Sequence, residues 1–171
     1  MRSRARSTGS KTVRLTVAAQ DRRGLLGDTT GVFAHHGLCI TDASAATWTK
    51  QHLALHALTV DNAVQIDATE WDQLGDNLRT ICAAGHQERP DFVPLGHATV
   101  TVYGNQRQRT LIRILAPDQI GLLSTICYWF ADHDLSVESL QAATDGETAH
   151  DIFLIKGSCR AQDLARHLSR Q

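Results

Sequence analysis

Apolar and polar residues alternate with a period of two in several short segments, and segments with a helical period separate them. Val13, Leu15 and Val17 alternate with polar or small neighbours, which indicates a strand. From Leu25 to Phe33 apolar side chains recur every three or four residues, as in an amphipathic helix. The pattern predicts a strand at 13–19, a helix at 25–36, strands at 38–48 and 53–60, a helix capped by Asp67 and a strand at 98–103.

The same pattern occurs twice. A shift of 97 residues aligns Ala19 to Leu26 with Ala116 to Leu123 without a gap. Between Ala19 and Thr47, 12 of 29 positions are identical after this shift, where ordinary composition gives roughly two. Such a duplication predicts two units of similar fold. The second unit is predicted to have strands at 111–116, 135–144 and 150–156, a helix at 122–133 and a short helix at 161–169.

The element order of the first unit is that of the ferredoxin-like fold. We therefore predict an α+β protein of two βαββαβ units in tandem, with antiparallel sheets and helices on one face. The predicted division places a disordered basic tail at 1–12, the first unit at 13–104 and the second unit at 105–171. The second unit is expected to lack a last strand of its own.

Two surfaces of this fold are expected to make contacts. A missing strand leaves an unpaired sheet edge, which favours association. The neighbouring unit or a second chain should cover that edge, and a second chain would give a homodimer. Ile152 and Leu154 alternate with Phe153 and Ile155, so both faces of this strand are apolar. We assign Phe153 and Ile155 to the face opposite the helices and predict a contact between units or subunits there.

Composition and charge exclude several classes of protein. The chain has 17 basic and 18 acidic residues, a net charge of -1, so no global field attracts nucleic acid or an anionic membrane. No apolar run approaches the ~20 residues that span a bilayer, and no apolar stretch of a secretory signal follows the charged N-terminus. The four cysteines lie far apart and are expected to be reduced thiols. These features predict a cytoplasmic protein.

Histidine is abundant, with nine residues, but no arrangement predicts a metal site or a catalytic centre. His52 and His56 share one face of a strand without a nearby cysteine, and we expect them at a surface or an interface. No nucleophile, base and oxyanion-binding turn converge, and the chain has no Walker loop or dinucleotide fingerprint. We expect no catalytic residue, no metal and no cofactor.

The most informative element is an Asp-x-x-Gly turn that joins strand to helix in both copies, from Asp21 to Gly24 and from Asp118 to Gly121. Glycine lets the backbone approach a ligand closely, and the N–H groups at a helix start favour a carboxylate. The aspartate can cap the helix or receive an ammonium group. One turn offers both halves of an amino-acid site, although each aspartate could equally be only a cap.

Strand, Asp-x-x-Gly-Leu-Leu turn, helix and two strands together resemble the ACT domain, a small regulatory module that senses amino acids. The best match runs from Thr110 to Gly157 and contains Ala-Pro-Asp-Gln-Ile-Gly-Leu-Leu, Ala-Ala-Thr-Asp-Gly-Glu and His-Asp-Ile-Phe-Leu-Ile. Together with Val100 to Asn105 it is similar to the tandem ACT region of bacterial nitrogen-sensing uridylyltransferases. The first copy departs from the pattern, with Arg22-Arg23 before its glycine.

The resemblance implies ligand binding at the turns. The second turn is the better candidate because it keeps the Pro-Asp-x-x-Gly-Leu-Leu form, whereas two arginines crowd the first turn. The expected ligand-binding residues are Asp118, Gln119, Ile120, Gly121, Leu122 and Leu123, with Asp21, Gly24, Leu25 and Leu26 in the first copy.

These features predict a non-catalytic regulatory protein that binds a small ligand, an amino acid, near an interface. Binding would be transmitted allosterically to a regulated enzyme or regulator, and a homodimer is expected. Two alternatives stay open: a transcription regulator of the glycine-cleavage-repressor type, also built from tandem ACT domains, and an interaction scaffold without a ligand. A nucleic-acid partner would need a basic face beyond the tail, which the sequence does not show, and no membrane partner is expected.

Overall fold

A computed structural model describes residues 6–7, 12–61, 66–83, 88–106 and 108–169. In this part of the chain, four helices and eight strands form an α+β fold. The strands are β1 (Arg6–Ser7), β2 (Val13–Gln20), β3 (Cys39–Trp48), β4 (Leu53–Asp61), β5 (Thr99–Gln106), β6 (Arg109–Pro117), β7 (Ser136–Asp145) and β8 (Thr148–Lys156). The helices are α1 (Leu25–His35), α2 (Ala68–Ala83), α3 (Leu122–Asp132) and α4 (Ala161–His167).

All strands join one antiparallel sheet in the order β1-β2-β4-β3-β7-β8-β6-β5. The two units meet at its centre, where β3 pairs with β7 and Ala43 lies opposite Ala142. Each half has the strand order of a ferredoxin-like unit, so the predicted fold class of two tandem βαββαβ units is confirmed. The pairing of β3 with β7 makes the two predicted sheets continuous.

The free edge predicted for the second unit is covered from within the chain. Strand β5 pairs with β6, with Val100 opposite Ile114. The expectation that the neighbouring unit covers this edge is therefore confirmed, and a second chain is not needed there. The element order had suggested β5 as the last strand of the first unit, whereas its pairing places it in the sheet of the second. The division into 13–104 and 105–171 stays a proposal. Its boundary falls inside β5, the strand that pairs with β6.

The N-terminal segment 1–12 was expected to be a disordered basic tail. Two of its residues, Arg6 and Ser7, form the short strand β1 beside β2, where they lie opposite Arg14 and Val13. Residues 1–5 and 8–11 lie outside the described residues.

The buried face of the sheet carries the core. In β8 the residues Ala149, Asp151, Phe153 and Ile155 are buried, while those between them are half-buried or exposed. The Phe153 ring packs edge-on against Phe130 of α3, with centroids 5.0 Å apart. The prediction that Phe153 and Ile155 face away from the helices is therefore wrong.

The opposite face of the same sheet is the apolar surface that remains open. Ile152 is 45% exposed, and Leu111 and Tyr103 on the adjoining strands are 38% and 51% exposed. The alternation of side chains in this strand was predicted correctly, but its two faces were assigned the wrong way round. An apolar pattern on both faces does not indicate which face a helix covers. The predicted contact between subunits on the sheet face opposite the helices stays a prediction.

Local signals at the ends of helices are confirmed where the sequence was specific. The Glu70 backbone N–H donates to Asp67 Oδ1 at 2.9 Å, and the Asp67 N–H donates to Glu70 Oε2 at 3.1 Å, which completes the predicted capping box. Gly37 follows α1 with φ +67°. At the equivalent position after α3, Asp134 adopts the same left-handed conformation with φ +59°, as aspartate can.

The first helix of each unit packs against that of the other unit. Gly27 of α1 lies under the ring of Tyr128 in α3, so close that an added Cβ would lie 2.8 Å from the ring. Tyr128 also donates a hydrogen bond to buried Asp28, at 2.9 Å. The glycine thus permits a close approach of two helices that carry the site described below. None of the helices in the described part of the chain is long and apolar enough to cross a membrane.

Candidate functional site

The two Asp-x-x-Gly turns have the same backbone geometry. Gly24 and Gly121 precede α1 and α3 with φ of +78° and +87°, a conformation that favours glycine. The Asp21 N–H donates to the carbonyl of His52 at 2.9 Å, and the Asp118 N–H donates to the carbonyl of Glu147 at 2.8 Å. Each turn is thereby fixed to the hairpin of its own unit, and the predicted need for glycine is met in both.

The two aspartate side chains differ in their partners. The N-cap residues of α1 and α3 are Gly24 and Gly121, without a side-chain cap hydrogen bond, so Asp21 and Asp118 do not occupy the N-cap positions. Asp118 Oδ2 instead accepts a hydrogen bond from Thr144 at 3.0 Å and from the Cys39 thiol at 3.5 Å. Thr47, the counterpart of Thr144, donates to the carbonyl of Val137 at 3.2 Å. The Asp21 carboxylate therefore does not have the threonine partner that Asp118 has.

Each turn lines a cavity between the two units, and the cavities differ greatly in size. The cavity beside Asp21 has a volume of about 280 Å³. One wall is the turn and the first residues of α1, up to Gly27. The other wall comes from the second unit, with Cys127 and Ala131 of α3 and the start of β7. This site is composite, because neither unit forms it alone.

The cavity beside Asp118 has a volume of about 20 Å³, room for about one water molecule. In its lining, the Asp118 carboxylate is already engaged in hydrogen bonds with Thr144 and with the Cys39 thiol. Asp118 also lines a wider surface groove of about 750 Å³, but Gly121 and the start of α3 do not line it. Of the two cavities that include a turn glycine and the start of its helix, the volumes favour the one at the first turn, whereas the sequence had favoured the second.

The structure brings most of the predicted site residues to these two cavities. Four of them, Asp21, Gly24, Leu25 and Leu26, line the larger cavity. Five others, Asp118, Gln119, Gly121, Leu122 and Leu123, line the smaller one. Ile120 does not line either cavity and is 43% exposed. The Gln119 amide donates to the carbonyl of Val93 at 3.2 Å.

The two arginines of the first turn do not fill the larger cavity with unpaired charge. Arg22 makes an ion pair with buried Asp28 at 2.6 Å and also donates to the carbonyl of Ile81 at 3.0 Å. Arg23 pairs with Asp134 of the second unit. The positive charge of the two arginines, which had made the first turn the weaker candidate, is therefore compensated by acidic partners. The ion pair of Arg23 with Asp134 joins the two units.

Two buried titratable residues of the site were not predicted. His56 of β4 lines the larger cavity and Asp151 of β8 lines the smaller one, and each is 3% exposed. They are counterparts, since His56 lies opposite Val17 and Asp151 lies opposite Ile114, and these two partners are related by the repeat. His56 was expected at a surface or an interface; it is not at the surface, because the period-two pattern of its strand places it on the buried face, where it lines the cavity between the two units.

Burial shifts the pKa of both residues, downward for the histidine and upward for the aspartate. Desolvation lowers the pKa of His56 from 6.5 to about 4. Desolvation, and then repulsion from Asp118, raises the pKa of Asp151 from 3.8 to about 7. Each group is thus biased toward its neutral form inside the fold.

These shifts predict opposing effects of pH on stability. Unfolding lets His56 take up a proton below pH 6.5, so its contribution weakens the fold as pH falls toward 4. Unfolding lets Asp151 release a proton above pH 3.8, so its contribution weakens the fold as pH rises toward 7. In Asp151→Asn only the histidine effect remains, and the free energy of unfolding should rise more steeply with pH than in the wild type, by up to about 1.4 kcal/mol per unit.

Urea unfolding between about pH 4.5 and about pH 6.5 measures this slope. Asp145→Asn changes an exposed aspartate of the same hairpin and is the matched control. An equal slope in Asp151→Asn and the wild type would contradict the shift assigned to Asp151.

The described residues offer no group of three or more His, Cys, Asp or Glu side chains that could hold a metal ion. All four cysteines lie in the described ranges, and none of them forms a disulfide. Burial, reinforced by Asp118, raises the pKa of the Cys39 thiol to about 12, so this thiol is a hydrogen-bond donor rather than a nucleophile.

Fold and repeat together define the class of fold, two tandem ferredoxin-like units of the ACT type, and the chain is similar in sequence to the C-terminal region of bifunctional uridylyltransferases. It is 30% identical over 169 residues to the bifunctional uridylyltransferase/uridylyl-removing enzyme of Pseudomonas aeruginosa, an alignment that covers 87% of this chain and 18% of that enzyme. The enzyme of the same name from Stutzerimonas stutzeri is 42% identical over 57 residues, 33% of this chain and 6% of the enzyme.

Among solved structures, the aspartate kinase from Synechocystis superposes with a TM-score of 0.54 at 14% sequence identity, covering 92% of this chain and 26% of the kinase. This similarity concerns the fold. No family model matches the chain. The chain spans less than a fifth of the length of the Pseudomonas aeruginosa relative and about a quarter of the length of the kinase.

Proposed function

We propose that the protein is a non-catalytic regulatory module that binds an amino acid in the cavity beside the Asp21 turn. The observation that carries this proposal is the composite cavity of about 280 Å³ between the two units. This volume lies just below the ~300–1,000 Å³ typical of sites for drug-sized ligands, which suits a molecule of amino-acid size.

The cavity offers complementary groups for a zwitterion. The first N–H groups of a helix have no partner within the helix and favour a carboxylate. Leu26 and Gly27, in the first turn of α1, line the cavity and supply such groups. Asp21 lies at the same turn and is half-buried, so its carboxylate is placed to receive the ammonium group.

Binding there would couple the two units. One wall belongs to α1 and the other to α3 and β7, so a ligand contacts both units and stabilises one arrangement of them. Such differential contact is the physical basis of allostery. We further propose that this change in arrangement acts on a regulated enzyme or regulator, and that the protein is a cytoplasmic homodimer. The names of the relatives support a link to an enzyme that the module regulates.

A thermal-shift screen with the twenty amino acids, followed by calorimetry, tests the proposal. A ligand at a hundred times its Kd stabilises the native state by about 2.7 kcal/mol. Asp21→Asn should weaken the binding of the cognate amino acid by about 10-fold or more, because a charge-assisted hydrogen bond is lost.

Asp118→Asn is the matched control, and it should leave the affinity nearly unchanged because that carboxylate is engaged with Thr144. A loss confined to Asp118→Asn would move the site to the second turn. If no amino acid stabilises the protein, the proposal fails and the scaffold alternative gains support.

A further inference from the structure

His56 occupies an unusual place for a histidine. It is buried at 3% exposure among apolar core residues and yet lines the larger cavity. Its strand β4 is central to the first half of the sheet, paired with β2 on one side and β3 on the other. Because the backbone is held on both sides, the imidazole is a fixed part of the cavity wall.

The hydrogen bonds of Thr29 determine which ring nitrogen carries the proton. The Thr29 hydroxyl donates its only hydrogen to the carbonyl of Leu25, at 2.7 Å. His56 Nδ1 lies 3.2 Å from the same hydroxyl oxygen, which can then only accept. Nδ1 is therefore protonated, and in a neutral ring Nε2 carries a lone pair. The lowered pKa of His56, about 4 because of burial, agrees with a neutral ring.

Nε2 is left for a ligand. Among the described residues, no group makes a hydrogen bond with this nitrogen, while Nδ1 is engaged with Thr29. A ligand that fills the cavity excludes water from this nitrogen, and an acceptor buried in this way without a partner costs about 1–3 kcal/mol. A ligand that supplies a donor avoids this cost.

We infer that His56 selects the ligand's side chain, by requiring a neutral hydrogen-bond donor, such as a hydroxyl or a carboxamide, opposite Nε2. This inference rests on the proposed function, since it assigns the side-chain specificity of the same cavity. An aliphatic side chain leaves the lone pair unsatisfied. A carboxylate places negative charge against a lone pair and is disfavoured further.

The comparison with the second copy supports a role in selectivity rather than in folding. The counterpart of His56 is Asp151, equally buried at 3% exposure, beside a cavity of about 20 Å³. A requirement of the fold for one side chain at this position would act on both copies. The side chain at this position is thus a histidine beside the larger cavity and an aspartate beside the smaller one.

The test compares near-isosteric amino acids by calorimetry on the unmodified chain. The pairs are threonine with valine, asparagine with leucine and glutamine with methionine, and asparagine and glutamine are also compared with aspartate and glutamate. The tightest ligand should be the donor of its pair and should bind about 10-fold or more tightly than its apolar partner. It should also exceed its carboxylate counterpart.

His56→Leu then assigns the selectivity to this residue, and the preference within a pair should fall to about 2-fold or less. His52→Asn is the control, since it changes an exposed histidine next to the same strand with φ +50°, a conformation that asparagine tolerates. It should keep the full preference.

Equal affinity within every pair would overturn the inference while the proposed function stands. A preference that persists in His56→Leu would also overturn it. Should the variant fail to fold, the comparison of pairs on the unmodified chain still decides. Absence of binding by all amino acids would overturn both the inference and the proposed function.

Discussion

Replacing Phe153 by alanine should lower the free energy of unfolding by about 3–5 kcal/mol. The side chain is fully buried, and its ring packs edge-on against Phe130 of α3 at 5.0 Å. Truncation would leave a cavity under the helix layer that a close-packed core cannot fill without rearrangement. Urea unfolding followed by circular dichroism measures the loss.

The matched control is Ile152→Ala, the next residue on the same strand. Ile152 is 45% exposed on the other face of the sheet, so its truncation should cost at most about 1 kcal/mol. Light scattering should give the same mass for Phe153→Ala and the wild type. A small loss of stability in Phe153→Ala together with a change in mass would indicate that Phe153 lies in a contact between subunits.

Replacing Asp28 by alanine should cost about 3–5 kcal/mol, since it leaves the partly buried Arg22 without its counter-charge and the buried Tyr128 hydroxyl without its acceptor. Asp28 is 1% exposed, accepts a hydrogen bond from Tyr128 at 2.9 Å and pairs with Arg22 at 2.6 Å. Burial and the neighbouring Asp28 raise the pKa of the Tyr128 hydroxyl, which therefore serves as a donor. Because Tyr128 belongs to α3, the substitution weakens the contact between the two units.

Asp132→Ala is the control for Asp28→Ala. Asp132 forms a bidentate pair with Arg89, at 2.6 and 2.7 Å, but both side chains are about half exposed. Solvent screening limits such a pair to about 0–1 kcal/mol. A double-mutant cycle of Asp28→Ala with Tyr128→Phe should give a coupling of about 1 kcal/mol across the unit boundary. Equal losses in Asp28→Ala and Asp132→Ala would contradict the importance of burial.

The sequence predicted the local structure well because local patterns carry it. Period-two and helical stripes located the strands and helices. The Asp67–Glu70 capping box, the glycine turns and the Asp145-Gly146 hairpin each depend on residues within a few positions of one another. The repeat extended every such prediction to a second copy, and the resemblance to the ACT domain correctly indicated the fold class.

The site was predicted in part. Both turns were located, and nine of the ten expected residues line a cavity. The unequal volumes were not predictable from the turns, because the opposite wall of each cavity comes from the other unit. His56 was missed because its role depends on Thr29 of α1 and on a cavity that only the packed units enclose.

The sequence by itself determined the elements, their order, the duplication and the backbone shape of the two turns, since each follows from periodicity or from the conformational preference of nearby residues. Only the tertiary structure decided the rest. It decided which apolar face of β8 meets the helices, that β5 pairs with β6, that β3 joins β7 and which aspartate is engaged with a threonine. These outcomes depend on contacts between residues far apart in the chain, which local preference does not specify.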